Sequence, residues 1–442
     1  MNTATNQVKE KSKISFLVLA VIFSLSMCYS VMYSLPYVKA VFYDGMLALT
    51  GATNTQLGLL MTVYGIGEVL TPAIGGVLAM KVDYKKIIVF SASASVISCL
   101  LLALFPSYFM TIIAWVILVF STLFMVWGTW FKALRIIATD DQQSVMTGLF
   151  YGCNGIAYFV INTLSAGVYD EVSTQTIESG LSQLTADRNG MVAVFYTFAA
   201  FLAVFAIVAG ILMKKLGVVN QGAVDADIEL AKEKQSILHS FLKVAKHRSV
   251  WYFGISLFCM YSATISIQYF TPYFTDVMGV TVTASALIAI IRQYGTRIAA
   301  SPLGGHLAKK TNSISIVIVW AFSLTALTLI TVLLLPAGWR TVGVLTGILI
   351  FAAFLNNISI GIQYAIPTEA NIPIQDYAAA VGFGSALGFA PDLYQHALFG
   401  YWIDKYENVG YNYIMLYGVI VSIIGALALI KFLAEKKSGK TL

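Results

Sequence analysis

The sequence predicts an all-α membrane protein in which twelve transmembrane helices form two pseudo-symmetric six-helix bundles. Three observations carry that expectation. Of the 442 residues, 58% are hydrophobic and only 11% charged, against about 25% charged in soluble domains, and the mean hydropathy is +0.80. The apolar residues gather into runs of about 20, enough to cross a bilayer as a helix, with none of the alternating stretches of about 10 that mark an outer-membrane barrel. Motifs of the first half also return in the second. A water-soluble enzyme is excluded. The net charge of +6 does not point to nucleic acid, because it is spread over short loops.

In chain order the runs are about 14–38, 55–79, 86–105, 108–131, 143–168, 191–213, 250–275, 282–305, 314–335, 341–365, 377–400 and 411–433, called spans 1 to 12. Each must be a helix, since lipid offers no partner to a free backbone group. Span 1 follows Lys9, Lys11 and Lys13 and superficially resembles a signal peptide. It is too long for one, and no convincing small-residue cleavage site follows, so it is expected to remain as the first helix. Basic residues set the orientation. With the N-terminus in the cytoplasm, most of the 27 Lys+Arg lie on the cytoplasmic side, including Lys81, Lys85, Lys86, Lys132, Arg135, Lys214, Lys215, Lys309, Lys310 and Lys436. The other side holds Lys39, Arg188, Arg340 and Lys405. Both termini are therefore expected in the cytoplasm. Cys28, Cys99, Cys153 and Cys259 fall within spans and form no CxxC pair, which suggests packing residues and neither a disulfide nor a metal site.

The long charged interruption at 214–249 divides the chain into an N-terminal bundle, 1–213, and a C-terminal bundle, 250–442. Ile228, Leu230, Ile237, Leu238, Phe241 and Leu242 make a helical stripe within it, read as an amphipathic surface helix. The halves look duplicated. Tyr33-Ser-Leu-Pro36-Tyr37 in span 1 matches Tyr269-Phe-Thr-Pro272-Tyr273 in span 7, 236 residues on; Gly75-Gly76 matches Gly304-Gly305 at 229; Gly155 and Gly167 match Gly388 and Gly400 at 233. Two repeated bundles joined by a linker are a transporter architecture, with the solute site expected near the midplane between halves.

The residues Gly76-Val-Leu-Ala-Met-Lys81-Val-Asp83-Tyr-Lys85-Lys86 after span 2, and Gly305-His-Leu-Ala-Lys-Lys310 after span 8, resemble the loop signature of the major facilitator superfamily. The resemblance extends over the whole chain. Met80 and Lys309 replace the acid usual in that signature, which implies a weak cytoplasmic latch or one using Asp83. Arg135, after Trp127 and Trp130, resembles the family's basic residue near span 4. A narrower resemblance, to a bacterial branch of sugar- and organic-acid-type permeases, rests on Arg292-x-Tyr294-x-x-Arg297, Glu369-x-x-x-Pro373, Gly388-Phe-x-Pro391-Asp392 and Gly400-Tyr-Trp-Ile-Asp404. It implies a bacterial cytoplasmic membrane and a cavity lined mainly by spans 1, 4, 7 and 10.

Ionisable groups inside lipid cost about 2.5–3.5 kcal/mol on insertion scales. Glu68 lies in mid-span 2, Arg292 in mid-span 8 and Asp392 in mid-span 11, with Arg297 and His396 about a turn further along. Arg292 and Arg297 suit an anionic solute, whose oxygens a guanidinium grips in two places. Alternatively they pair with Asp392, Glu68 or helix carbonyls. Glu68 and Asp392 are candidate proton carriers, structural partners or parts of an outer gate, and His396 faces Asp392 at i+4. On the expected cavity helices, Tyr33, Gln268, Trp130, Asn357 and Tyr364 are candidates to stack on or hydrogen-bond a polar solute. Tyr37 and Tyr273, near helix ends, suit an interfacial belt. Gly65, Gly67, Gly152, Gly155, Gly384 and Gly388 suit close helix contact.

The expected function is secondary active transport of a small organic anion, such as a sugar acid, a carboxylate, or a phosphorylated or sulfonated sugar, coupled to protons or run by exchange. A neutral sugar or nucleoside permease is the alternative; a transporter-like solute sensor is more remote, because the tails outside the spans are short. No nucleophile–base pair, His–Glu metal motif or GxxxxGK[ST] loop is present, so neither an enzyme nor an ATP-driven pump is expected. The partners implied are the solute, a coupling ion and lipid, with no cofactor and no nucleic acid, acting as a monomer.

Overall fold

Ser15 opens the described chain as a helix cap, its hydroxyl accepting the Leu17 amide. The computed structural model describes residues 15–81, 83–137, 143–217, 237–336, 338 and 340–438. Span 1 is Phe16–Ser34, span 2 Asn54–Lys81, span 3 Tyr84–Leu104, span 5 Gln143–Glu178, span 6 Gln183–Leu216, span 9 Ile314–Leu334 and span 12 Asn408–Lys437. Five spans are made of consecutive pieces. Span 4 runs Tyr108–Leu118, a π-turn Val119–Met125, then Trp127–Ile137; span 7 runs Arg248–Gln268 and Phe270–Asp276. Span 8 runs Val282–Ile290, a π-turn Ile291–Gly295, then Thr296–Thr311; span 10 runs Val342–Ile362 and on to Glu369. Span 11 runs Ile374–Gly388, a 3₁₀ turn Ala390–Leu393, then Gln395–Tyr406. No strand occurs among the described residues. An even number of passes brings both ends of the chain to one side of the bundle, here the terminal end; the other is the distal end.

Among the described residues, eight helices are long and apolar enough to cross a membrane by length and composition. The other four passes are spans 2, 5, 8 and 11. Spans 8 and 11 are broken by their turns into shorter helices, and those breaks carry the chemistry. Arg292 sits in the π-turn of span 8 and Asp392 in the 3₁₀ turn of span 11. Pro391 has no amide proton and cannot continue an α-helix; π-turns inside helices often mark functional sites. Several other helix starts are capped by the side chains the sequence supplies there, Ser107, Ser182, Thr281, Ser313 and Thr341 each accepting an amide of the first turn. Spans 5 and 6 run beyond the 143–168 and 191–213 read from hydropathy, because their polar ends stay helical past the apolar stretch.

Spans 2 and 11 meet backbone to backbone across the two halves. A Cβ on Gly58 would stand 2.3 Å from the His396 carbonyl oxygen, one on Gly65 2.8 Å from the Asp392 Cβ, and one on Gly400 2.2 Å from the Asn54 carbonyl oxygen. Gly384 and Gly388 receive the Phe253 and Leu257 side chains of span 7. Gly152 and Gly155 differ from expectation: nothing stands within 4 Å of where their Cβ atoms would be.

Of the linker stripe, Ile228 and Leu230 lie outside the described residues. Ile237–Val244 is helical and packs on the C-terminal half rather than standing free. Phe241 meets Phe383 edge-on at 6.2 Å, Val244 is buried beside Ile372 and Ala380, and Lys243 pairs with Asp376 at 2.6 Å. The four cysteines are free.

Candidate functional site

Between the halves lies a cavity of about 360 Å³, walled by spans 1, 2, 4, 5, 7, 8, 10 and 11. Span 1 contributes Tyr29, Tyr33 and Tyr37, and span 7 Tyr261, Thr264 and Gln268. Span 8 contributes Arg292, Gln293, Tyr294 and Arg297, and span 10 Asn356, Asn357 and Tyr364. Spans 2, 5, 8 and 11 were not among the helices expected to dominate. Span 4 presents Leu123.

Arg292 is 1% exposed. Its Nη2 donates to the Thr271 hydroxyl at 2.9 Å and the Gln268 carbonyl at 3.4 Å, while its buried Nη1 has no partner. Arg297 Nε donates to Asn357 Oδ1 at 3.3 Å, and Asn357 in turn donates to the Thr296 hydroxyl at 2.8 Å. Among the described residues the ion pairs are Lys243–Asp376, His396–Asp392 and Lys436–Glu369. Neither arginine is paired with Glu68 or Asp392 in this conformation, so two guanidinium groups meet the cavity without a carboxylate.

Glu68 and Asp392 gather around Tyr37. The Tyr37 oxygen lies 2.6 Å from Glu68 Oε1, 3.2 Å from Asp392 Oδ2 and 2.9 Å from the Tyr261 hydroxyl, which donates to Asp392 Oδ2 at 2.8 Å. His396, 1% exposed, sits behind Asp392 with Nε2 3.2 Å from Oδ1, away from the cavity wall. Spans 1 and 2 thus meet spans 7 and 11 in one polar cluster. Tyr37 is a member of it rather than of an interfacial belt, and Tyr273 is 3% exposed against Tyr411. Both depart from expectation because a helix end in sequence need not be a membrane surface.

Lys39 is the clearest residue that sequence reading missed. Read as a loop residue, it is 3% exposed, with Nζ 3.5 Å from the Tyr269 hydroxyl and 5.5 Å from its ring centre. Tyr269 donates onward to the His396 carbonyl at 2.9 Å. The sequence offered one signal, the repeated Pro36-Tyr37 and Pro272-Tyr273 beside it. The Tyr158 and Tyr294 rings, stacked across the halves at 5.1 Å with 6° between planes, were also missed, although Tyr294 stands within the Arg292–Arg297 motif.

Among the other expected residues, Tyr33 lines the cavity with its ring, but its hydroxyl is taken by the Thr122 carbonyl at 2.6 Å in the span 4 π-turn. Gln268 and Tyr364 line the cavity as expected. Trp130 does not reach it: 1% exposed, it packs behind Tyr29 and Phe150 with ring centres 5.6 and 6.1 Å away. Asp83, suggested for a latch, caps span 3, its Oδ1 accepting the Lys85 and Lys86 amides at 2.8 and 3.4 Å. The Arg135 side chain lies outside the described residues.

The cavity is sealed towards the distal end. Asp404 of span 11 accepts from the Asn54 amide, the Asn54 side chain, the Thr55 amide and the Thr55 hydroxyl at 3.1, 2.9, 2.8 and 2.5 Å. Thr271 donates to the Ala40 carbonyl at 2.8 Å, and Thr283 to Asp170 at 2.7 Å. Two halves around a cavity lined by aromatic and polar side chains and closed at one end are the architecture of a membrane transporter.

The sequence profile of the Major Facilitator Superfamily matches residues 15–391, and the chain belongs to that family of membrane transporters. It is 25% identical over 377 residues to the inner membrane protein YqcE of Escherichia coli K12, covering 85% of this chain and 84% of that one. It is 22% identical over 417 residues to the inner membrane protein YihN of the same organism, covering 93% and 94%. Three solved structures share the fold. A bacterial homologue of the human lysosomal transporter Spinster, inward-facing and unoccupied, has a TM-score of 0.71 at 14% identity, covering 96% of this chain and 99% of that one. The nucleoside transporter NupG gives 0.65 at 13%, covering 95% and 98%, and a D-xylose–proton symporter 0.65 at 13%, covering 92% and 96%.

Proposed function

We propose that the protein is a secondary active transporter of a small organic anion, a sugar acid, carboxylate, or phosphorylated or sulfonated sugar, working by alternating access and coupled to protons. One observation carries this reading: Arg292, buried at the cavity wall with an unpartnered Nη1 and no carboxylate beside it. A buried cation without a counter-charge is costly, and an anionic solute supplies that charge. Arg297, about a turn further along the same helix, offers a second fork, and Asn357 and Gln268 add hydrogen-bonding groups. The aromatic faces of Tyr29, Tyr158 and Tyr294 suit the ring or carbon skeleton of the solute. The same faces and amides favour a neutral sugar or a nucleoside as the second reading, in which the arginines are scaffold.

The Lys and Arg distribution puts the terminal end in the cytoplasm, so the conformation closed at the distal end faces inward. Residues 1–213 and 250–442 rock as two bodies about the cavity, joined by 214–249, in the cytoplasmic membrane of a bacterium, as a monomer without a cofactor.

The test is thermal unfolding of the purified protein against sugars, sugar acids, carboxylates, sugar phosphates and sulfonates. A ligand at 100 Kd stabilises the folded state by about 2.7 kcal/mol. A shift given by anions and lost in Arg292→Gln supports the proposal. A shift given by neutral sugars that survives both Arg292→Gln and Arg297→Gln overturns it.

A further inference from the structure

Spans 3 and 6 take no part in walling the solute cavity. Between them, on the outside of the N-terminal half, runs a second hollow of about 600 Å³. Span 3 gives it Val89 and Ile97, and span 6 gives it Ala206, Gly210, Ile211 and Lys214. Ala206 is buried, whereas Ile97 and Ile211 are 52% and 54% exposed, so the hollow is a groove that opens towards lipid. Its depth comes from small residues: a Cβ on Gly210 would stand 3.5 Å from Val89 Cγ2, in ordinary contact. Ser93, which also lines it, returns its hydroxyl to the Val89 carbonyl at 2.9 Å. What remains is an apolar trough with a lysine at its terminal end.

We propose that this groove binds an anionic phospholipid of the cytoplasmic leaflet, with one acyl chain between spans 3 and 6 and the phosphate against Lys214. Length selects the kind of occupant. From Ala203 to Lys214, both lining the groove, span 6 rises about 16 Å, half of a hydrocarbon core about 30 Å thick. The groove therefore crosses one leaflet and stops. A partner's transmembrane helix would cover both leaflets, whereas a phospholipid covers one.

Charge selects the headgroup. Span 6 ends on Lys214 and Lys215, and span 3 begins at the same end with Lys85 and Lys86. The acid beside them is Asp83, whose Oδ1 accepts the Lys85 and Lys86 amides. Among the described residues none of these four lysines is in an ion pair. An excess of positive charge at the cytoplasmic membrane surface favours an anionic headgroup over a zwitterionic one. Lys214 joins the two parts of the site, since a lysine stem lies along apolar surface while its ammonium reaches the headgroup level. A lipid seated here bridges two helices of one half and lies outside the solute cavity, so the site is independent of which solute is carried.

The test places the full chain in phosphatidylcholine nanodiscs with a trace of phosphatidylglycerol that carries a photoactivatable diazirine in one acyl chain, and maps the adducts by peptide mass spectrometry. A phosphatidylcholine probe with the same chain is run beside it. The exposed face of span 9 at Trp320 and Leu327 gives the background expected of any lipid-facing surface. Relative to that face, phosphatidylglycerol should label residues 89–97 and 203–211 more heavily than phosphatidylcholine does. Lys214→Gln should lower this preference about fivefold, and Lys214→Arg should keep it. Gly210→Leu fills the trough, and should remove labelling there by both probes while leaving span 9 unchanged. Equal labelling by the two probes in the wild type, a preference that survives Lys214→Gln, or labelling that ignores Gly210→Leu overturns the proposal. Protection of the groove only in discs that hold two chains assigns it to a second copy, and overturns it as well.

Discussion

Asp404 takes both the backbone amide and the side-chain amide of Asn54, at 3.1 and 2.9 Å, so a carboxylate from one half caps a helix of the other. The cap satisfies amides at the start of span 2 and favours negative charge at a helix N-terminus. Asp404→Ala should cost about 1 kcal/mol and lower the midpoint of thermal unfolding in detergent, and Asp404→Asn should recover part of that loss. Equal midpoints for wild type and the Ala variant would remove this clasp from the energetics of distal closure.

Arg292 lines the cavity and holds one amine on Thr271, while the other is buried without a partner. A charge-assisted hydrogen bond is worth about 1.5–3 kcal/mol, so Arg292→Gln should weaken binding of the anion by about 10- to 100-fold in calorimetry. Arg292→Lys should be intermediate, keeping the charge but losing the planar fork.

Glycine at 65 and 400 is required by contact rather than by backbone angle. An added Cβ would meet the Asp392 Cβ at 2.8 Å and the Asn54 carbonyl oxygen at 2.2 Å. Gly65→Ala and Gly400→Ala should therefore favour the state open at the distal end, read as faster thiol labelling of a cysteine at Leu57, which is fully buried when this end is shut. Gly152→Ala, with nothing within 4 Å, should leave labelling at Leu57 at the wild-type rate.

Asp44 lies in the short helix Tyr43–Thr50 between spans 1 and 2. Burial pushes its pKa up to about 7 from 3.8, a hydrogen bond from Thr275 opposes that rise, and Asp276 and Asp187 add to it. The folded state therefore holds this proton more tightly than the unfolded chain does. Its contribution to stability is complete below about pH 4 and is lost as pH rises towards 7, with a slope of about 1.4 kcal/mol per unit. Asp44→Asn should flatten the fall in unfolding midpoint over that window; an unchanged slope would show that Asp44 does not cause it.

Much of the fold was legible because lipid imposes a coarse rule: a run of about 20 apolar residues has to be a helix. Span 8 was found although it is broken, since its composition is apolar on either side of Arg292. The site was legible in part. Arg292, Arg297, Glu68 and Asp392 stood out because charge is rare in such segments, and Gln268, Asn357 and Tyr364 because of the helices that carry them. Trp130 did not follow, since a large ring at a helix centre looks the same in sequence whether it faces the cavity or the packing behind it. Lys39 and Tyr37 were misread for a related reason: hydropathy locates a residue along the membrane normal but not around it.

The sequence by itself determined the number of passes, their duplication in two halves, and which few side chains carry charge into lipid, because each of these follows from local composition and spacing. Only the tertiary structure decided which charges meet. Glu68 and Asp392 are 324 residues apart, yet Tyr37 touches both, while Arg292 and Asp392 do not form the pair that the sequence allowed. Such meetings are set by the angle at which the halves pack and by where Gly58, Gly65 and Gly400 let backbones touch, quantities that belong to surfaces brought together from opposite ends of the chain.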